Sequence, residues 1–179
     1  MIFRPTDIDG AYVVSMEPHQ DERGWFSRAW CEEEFAGAGL DVRVVQTNVS
    51  FNHAAATIRG LHWQVEPYGE TKLMRCTRGA IFDVIADVRE GSPSYGRWQG
   101  FRLEEGDQQL VFVPEGCAHG YQALTAATEV TYNTSHAYVG GAERGVRWND
   151  PAFGIEWPLD SPIVSEKDAS WPDFVMSAE

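Results

Sequence analysis

Cysteine is scarce. Cys31, Cys76 and Cys117 are the three in 179 residues. An odd number at wide spacing builds neither a disulfide framework nor a zinc knuckle, and it points to a reducing compartment. Long apolar runs are missing as well. No stretch approaches the roughly 18 residues that a membrane-spanning helix needs. The opening MIFRPTDIDG carries no secretory pattern, so a cytoplasmic protein that engages no membrane is expected. Basic charge is short: 14 Lys and Arg against 27 Asp and Glu leave a net charge of -13. That sign repels phosphate backbones and excludes nucleic acid as the main partner. It still allows a nucleotide held in a local pocket of Arg and Lys. Repeats, linkers and low-complexity runs are absent, so residues 1–179 read as one domain.

Aromatic residues are plentiful, with seven Trp, nine Phe and six Tyr. They predict a large aromatic-lined interior. Helical periodicity is confined to Cys31–Gly39 (CEEEFAGAG), with acidic residues in the first turn and a closing Gly. The rest reads as short strands separated by turn residues. Ala11–Met16 and Trp25–Trp30 flank the DERG turn, and Arg43–Phe51 follows. Ala80–Val88 alternates, with Ile81, Asp83, Ile85 and Asp87 opposite Ala80, Phe82, Val84, Ala86 and Val88. Arg97–Leu103 and Gln108–Val113 read as a hairpin around EEGD, followed by Tyr121–Leu124 and Glu129–Ser135. The Trp-containing tail after Val139 is expected to be ordered. About ten short strands with almost no helix predict an all-β sandwich or barrel, most simply a two-sheet jelly roll.

The stretch from Thr57 to Cys76, TIRGLHWQVEPYGETKLMRC, reads as a hairpin at the centre of the chain. By period-2 alternation Ile58, Gly60, His62 and Gln64 share one face, and Lys72, Met74 and Cys76 share another. If Met74 and Cys76 face the core, Lys72 faces it too. A lysine inside a barrel is costly unless it is paired or used. His62 alone would pass as a hydrogen-bonded core histidine. With Lys72 and with His119 of PEGCAHG, it becomes one of three titratable groups converging on one interior. Tyr132 shares a face with Val130 and, opposite a histidine, is a candidate general acid. Gln46, Asn48 and Ser50 fall on one face of their strand, either as a polar pocket wall or as a solvated exterior. Arg23 and Arg59 are either surface ion-pair partners or a clamp for phosphate. Asp168 and Glu143 are weak candidates alone; a carboxylate behind a histidine would orient its ring.

A metal site would need more imidazole. Metal-binding jelly rolls of the cupin type use an HxH pair, and here the pair is His62–Trp63–Gln64. A later PxGxxH piece, Pro114–His119, is present, but only Glu66 and Glu70 are spare ligands, and Lys72 would repel a divalent ion. No metal is expected.

RGLHWQ, KLMRCTRGAIFDVIADVREGSPSYGRW, FVPEGCAHG and ERGVRWNDPAFGIEWP together resemble the dTDP-4-dehydrorhamnose 3,5-epimerase family. The resemblance runs from DERGWF to SEKD, most of the chain. It implies a cupin-type double-stranded β-helix with a few short helices, a homodimer that exchanges N-terminal strands, and no cofactor. The implied substrate is a nucleotide diphosphate linked to a 4-keto-6-deoxyhexose, inverted at C3 and C5 through an enolate. His62 would take the proton, oriented by Asp168; Tyr132 would return one from the opposite face; Lys72 would stabilise the enolate oxygen. Arg23, Gln46, Asn48, Arg59, His119, Glu143 and Lys167 would bind substrate, and Tyr138 would stack on the base. Arg28 stands where rhamnose-pathway members usually carry a glutamate. The base, the sugar and the number of carbons inverted therefore stay open. A mono-epimerase acting on another nucleotide sugar, or a metal-binding cupin, is the alternative.

Overall fold

A computed structural model describes residues 1–40 and 42–177. In chain order the strands are β1 (Ile2–Pro5), β2 (Tyr12–Ser15), β3 (His19–Asp21) and β4 (Gly24–Phe26), followed by helix α1 (Glu32–Gly37). Next come β5 (Gln46–Asn52), β6 (Ile58–Gln64), β7 (Lys72–Arg78), β8 (Ala80–Ala86) and β9 (Trp98–Glu104). They lead to β10 (Gln109–Val113), β11 (Ala118–Ala123), β12 (Thr128–Thr134), β13 (Glu143–Gly145) and helix α2 (Glu166–Ala169). A six-stranded sheet runs β1-β2-β10-β7-β12-β5 and a five-stranded sheet runs β13-β6-β11-β8-β9, both antiparallel. This is the expected two-sheet jelly roll. β3 and β4 form a separate ribbon paired with neither sheet.

Three apolar layers follow from strand alternation. Met74, Cys76, Ile81, Ile85, Val111, Tyr121 and Val130 meet between the sheets and fill one end of the barrel. Leu61, Val84, Ala86 and Val146 point outward from the five-stranded sheet, where the tail's Phe153, Ile155, Trp157 and Phe174 cover them. Leu73, Leu110 and Phe112 point outward from the six-stranded sheet and pack under Phe35 of α1 with Trp30. The tail is therefore structural, as its tryptophans required.

Both expected hairpins are something else. β6 and β7 lie in different sheets, as do β9 and β10. Each connection crosses from one wall of the sandwich to the other, because each pair of strands has an apolar face to bury against the opposite sheet. The β6–β7 crossing sets His62 and Lys72 on facing walls. The aromatic strand from Trp25 also ends early, at Phe26, since the ribbon finds no further partner.

Period-2 alternation fails at the most consequential place. Arg59 stands opposite Tyr121 and His62 opposite His119. Gly60 and Leu61 thus face Gly120 alone, which is a β-bulge. The extra residue returns Arg59 and His62 to one face, the interior, and turns Ile58 away with Gln122, against the expectation that Ile58 shared the His62 face. Gly60 has φ +116, and a Cβ there would lie 2.5 Å from the Gly120 Cα. Only glycine fits, and it alone lets the bulge close.

Candidate active site

At the end of the barrel opposite the apolar core the walls become polar and enclose a cavity of about 570 Å³. The six-stranded sheet lines it with Gln46, Asn48 and Ser50 of β5, Lys72 and Met74 of β7, and Tyr132 of β12. The five-stranded sheet supplies Arg59 and His62 of β6, His119 and Tyr121 of β11, and Glu143 of β13. Tyr138, Lys167 and Asp168 reach it from the loop before β13 and from α2. The polar face of β5 is thus a pocket wall, and its opposite face, with Val49 and Phe51, is exposed.

Arg23 is not among the lining residues. It sits in the turn of the β3–β4 ribbon, its Nη2 on Asp21 Oδ2 at 2.6 Å and its side chain 85% exposed. Within a single chain the ribbon stands apart from the cavity, which is why Arg23 does not join the other candidates.

The His62 ring is fixed by a carboxylate from the far end of the sequence. Nε2 donates to Asp168 Oδ1 at 2.7 Å. Ser165 caps α2 by accepting the Asp168 amide at 3.1 Å, so Asp168 sits in the first turn of this short helix. Trp171 then packs over Gly145 and lies edge-on to the His62 ring at 6.1 Å. Burial alone would raise the Asp168 carboxyl. Hydrogen bonds from His62 and the Gly60 amide, with the Ser165 contact, outweigh burial and hold it below its ordinary 3.8. An ionised carboxylate only accepts, so the shared proton sits on Nε2, and Nδ1 is the nitrogen that carries the lone pair in the neutral ring. That nitrogen lies 3.8 Å from Glu143 Oε1.

A depressed carboxyl pKa is a statement about stability. The unfolded chain binds the proton more readily, so Asp168 stabilises the fold above pH 3.8 and loses that contribution as pH falls through its folded value. Urea unfolding midpoints followed from pH 5 down to about 3 should fall less steeply in Asp168→Asn than in the parent. Parallel curves would contradict this.

Burial pushes the Tyr132 phenol above its usual 10, helped by Tyr121 and Glu70, so it remains a proton donor at neutral pH. Lys72 is nearly buried and donates to the His62 carbonyl oxygen at 3.1 Å. At the mouth, the Glu143 carboxylate takes contacts from Lys167 and from the Tyr138 hydroxyl. Arg59 Nε is steadied by Asn52 Oδ1 at 2.9 Å.

Two residues escaped sequence reasoning. Asp83, fully buried on β8, accepts from His119 Nε2 at 2.8 Å, so both cavity histidines are aimed by an aspartate. The signal was available: Asp83 interrupts the inward Ile81–Ile85 face as Lys72 interrupts its own. Glu70, noted only as a spare metal ligand, instead lies 3.4 Å from Lys72 Nζ. No local pattern marks it, because it sits on a loop.

An aspartate-oriented imidazole and a protonated phenol drawn from facing sheets, with an ammonium group lining the same cavity, define an acid–base isomerase on a cupin-type jelly roll. The sequence narrows this. A family model described as dTDP-4-dehydrorhamnose 3,5-epimerase matches residues 5–175, and the chain belongs to that family. A dTDP-4-dehydrorhamnose 3,5-epimerase of Sinorhizobium fredii is 42% identical over 97% of this chain and 90% of its own length. The crystal structure of the Bacillus anthracis epimerase with TDP and PPi bound is 36% identical, with TM-score 0.93 over 97% of this chain and 99% of that one. A 3'-monoepimerase from Streptomyces bikiniensis, in complex with dTDP-quinovose, is 34% identical, with TM-score 0.88 over 94% and 86% of the two chains.

Proposed function

We propose that this protein inverts C3 and C5 of a nucleotide-diphosphate 4-keto-6-deoxyhexose, converting dTDP-4-dehydro-6-deoxy-D-glucose to dTDP-4-dehydro-L-rhamnose. The observation that carries the reading is that His62 and Tyr132 enter one cavity from opposite sheets, with Lys72 beside them.

Hydrogens at C3 and C5 are acidic because the C4 ketone can take the charge as an enolate. His62 Nδ1 removes one of them, and Asp168 steadies the imidazolium that forms. The Lys72 ammonium faces the oxygen on which negative charge grows, inside a cavity where water screens little. Tyr132 delivers a proton to the opposite face, and inversion results. Only protons move, so the reaction as written asks for no redox cofactor. Gln46, Asn48, Arg59 and His119 hold the sugar and diphosphate. Glu143 orders the mouth with Lys167, and Tyr138, 58% exposed, offers its ring to the base.

Residues 1–179 act as one catalytic unit in the cytoplasm. Among the described residues no helix is long and apolar enough to cross a membrane. The working form is a homodimer with exchanged N-terminal strands, in which the β3–β4 ribbon of a second copy brings Arg23 to the diphosphate. Exposed Trp25 and Phe26 on the ribbon, and Val49 and Phe51 on β5, support that assembly. Arg28 pairs with Glu34 at 2.7 Å and leaves the choice of base to other contacts.

Inversion of C3 alone is the second reading, favoured by the similarity to the Streptomyces bikiniensis enzyme. Incubation in deuterium oxide with the thymidine, cytidine and guanosine forms of the 4-keto sugar decides. Deuterium at both C3 and C5 of an inverted product is expected; deuterium at C3 alone assigns the mono-epimerase. Metal assay of protein purified without chelator should find far less than one ion per chain, and a stoichiometric ion on His62 and His119 would overturn the proposal.

A further inference from the structure

A carboxylate inside this cavity works against the chemistry just described. Glu70 lines it, its side chain only 10% exposed, with Oε1 3.4 Å from the Lys72 ammonium. A negative charge at that distance weakens what Lys72 offers to an enolate oxygen. The His62 carbonyl already accepts one of the three Nζ protons of Lys72. Glu70 is not there by default of a loose loop. Its Oε2 accepts from Gln64 Nε2 at 3.2 Å. Gln64 is itself 2% exposed, and its amide also bonds the Tyr68 and Ala137 carbonyls and the Val139 amide. The carboxylate is held at a fixed place and aimed at the cavity.

An ionised carboxylate offers about four lone-pair sites, and Lys72 and Gln64 occupy two. Acceptor capacity therefore remains on a side chain that lines the cavity. If Lys72 sits at the C4 oxygen, a group 3.4 Å from its nitrogen lies next to a neighbour of C4. C5 carries a methyl group. C5 also bonds the ring oxygen, which only accepts, so the one donor beside C4 is the hydroxyl on C3, from which a carboxylate accepts well.

We infer that Glu70 is a specificity-determining residue that accepts a hydrogen bond from the C3 hydroxyl of the 4-keto sugar. The inference rests on the proposed function and adds the substituent that the site reads. A site built to bond a hydroxyl discriminates strongly against an analogue lacking it, because its own polar group is then left unpaired.

The test compares the nucleotide-linked 4-keto-6-deoxyhexose with its 3-deoxy form. The readout is kcat/KM for solvent deuterium entering at C5, a position common to both. The parent should lose about 10- to 100-fold on the 3-deoxy substrate, as expected for a charge-assisted hydrogen bond. Glu70→Ala should lose a similar factor on the hydroxylated substrate, and Glu70→Gln, whose amide oxygen still accepts, a smaller one; on the 3-deoxy substrate both should match or exceed the parent, because the negative charge beside Lys72 is gone. Equal losses on both substrates would mean that Glu70 acts only through Lys72, and no loss on either would mean that it does not face the sugar; both results overturn the inference. If one variant does not fold, the other carries the comparison. A parent that puts deuterium into neither substrate refutes the proposed function itself, a separate outcome.

Discussion

His62→Ala should abolish turnover and isotope exchange together. Removing a positioned general base costs about two to four orders of magnitude in rate. The nearest alternatives in the cavity are already engaged. His119 is the other imidazole, but its Nε2 is tied to Asp83 on a different strand. Glu143 is 3.8 Å from His62 Nδ1 and already takes Lys167 and Tyr138. With no base, no enolate forms and no deuterium enters at either carbon. The fold should persist, since the His62 ring sits at the cavity wall and is partly exposed. Rate and exchange within tenfold of the parent would remove His62 from the chemistry.

Tyr132→Phe should separate two events that His62→Ala loses together. The phenol is held protonated by burial and faces the cavity from the sheet opposite His62. Its loss leaves abstraction intact. The enolate forms, His62 exchanges its proton with solvent and returns deuterium to the face it came from. Inversion should fall by about two to four orders of magnitude, while deuterium wash-in into unreacted substrate continues at a substantial fraction of the parent rate. The ratio of exchange to inversion is the diagnostic, because a variant that is merely misfolded lowers both. Inversion at the parent rate would mean that the second proton comes from elsewhere.

Much of this site could be read from residue order. Lys72 was legible because strand alternation leaves it no other face once Met74 and Cys76 are buried. The polar row Gln46, Asn48, Ser50 was legible for the same reason, although alternation alone could not choose between pocket and solvent. The Arg59–His62 pairing was not, because a bulge at Gly60 breaks the period on which the reading depends. The partner of His62 was out of reach of any local pattern: Asp168 lies 106 residues away and arrives on a four-residue helix held by its Ser165 cap. The sheet assignment of β6 with β7, and of β9 with β10, failed for a related reason. Closeness in sequence favours a hairpin, while two apolar faces that must be buried against each other favour a crossing. Family resemblance supplied roles for Asp168 and Glu143 that spacing could not. It supplied Arg23 as well, which the single chain leaves outside the cavity.

The chemistry comes down to two groups on opposite faces of one sugar ring. The most direct measurement is a crystal structure with an unreactive nucleotide-linked 6-deoxyhexose bound in the cavity. His62 Nδ1 and the Tyr132 hydroxyl should lie on opposite faces of the ring, each about 3–3.5 Å from the carbon it serves, with Lys72 Nζ at the C4 oxygen. Both groups on the same face, or Lys72 turned from that oxygen toward solvent, would contradict it.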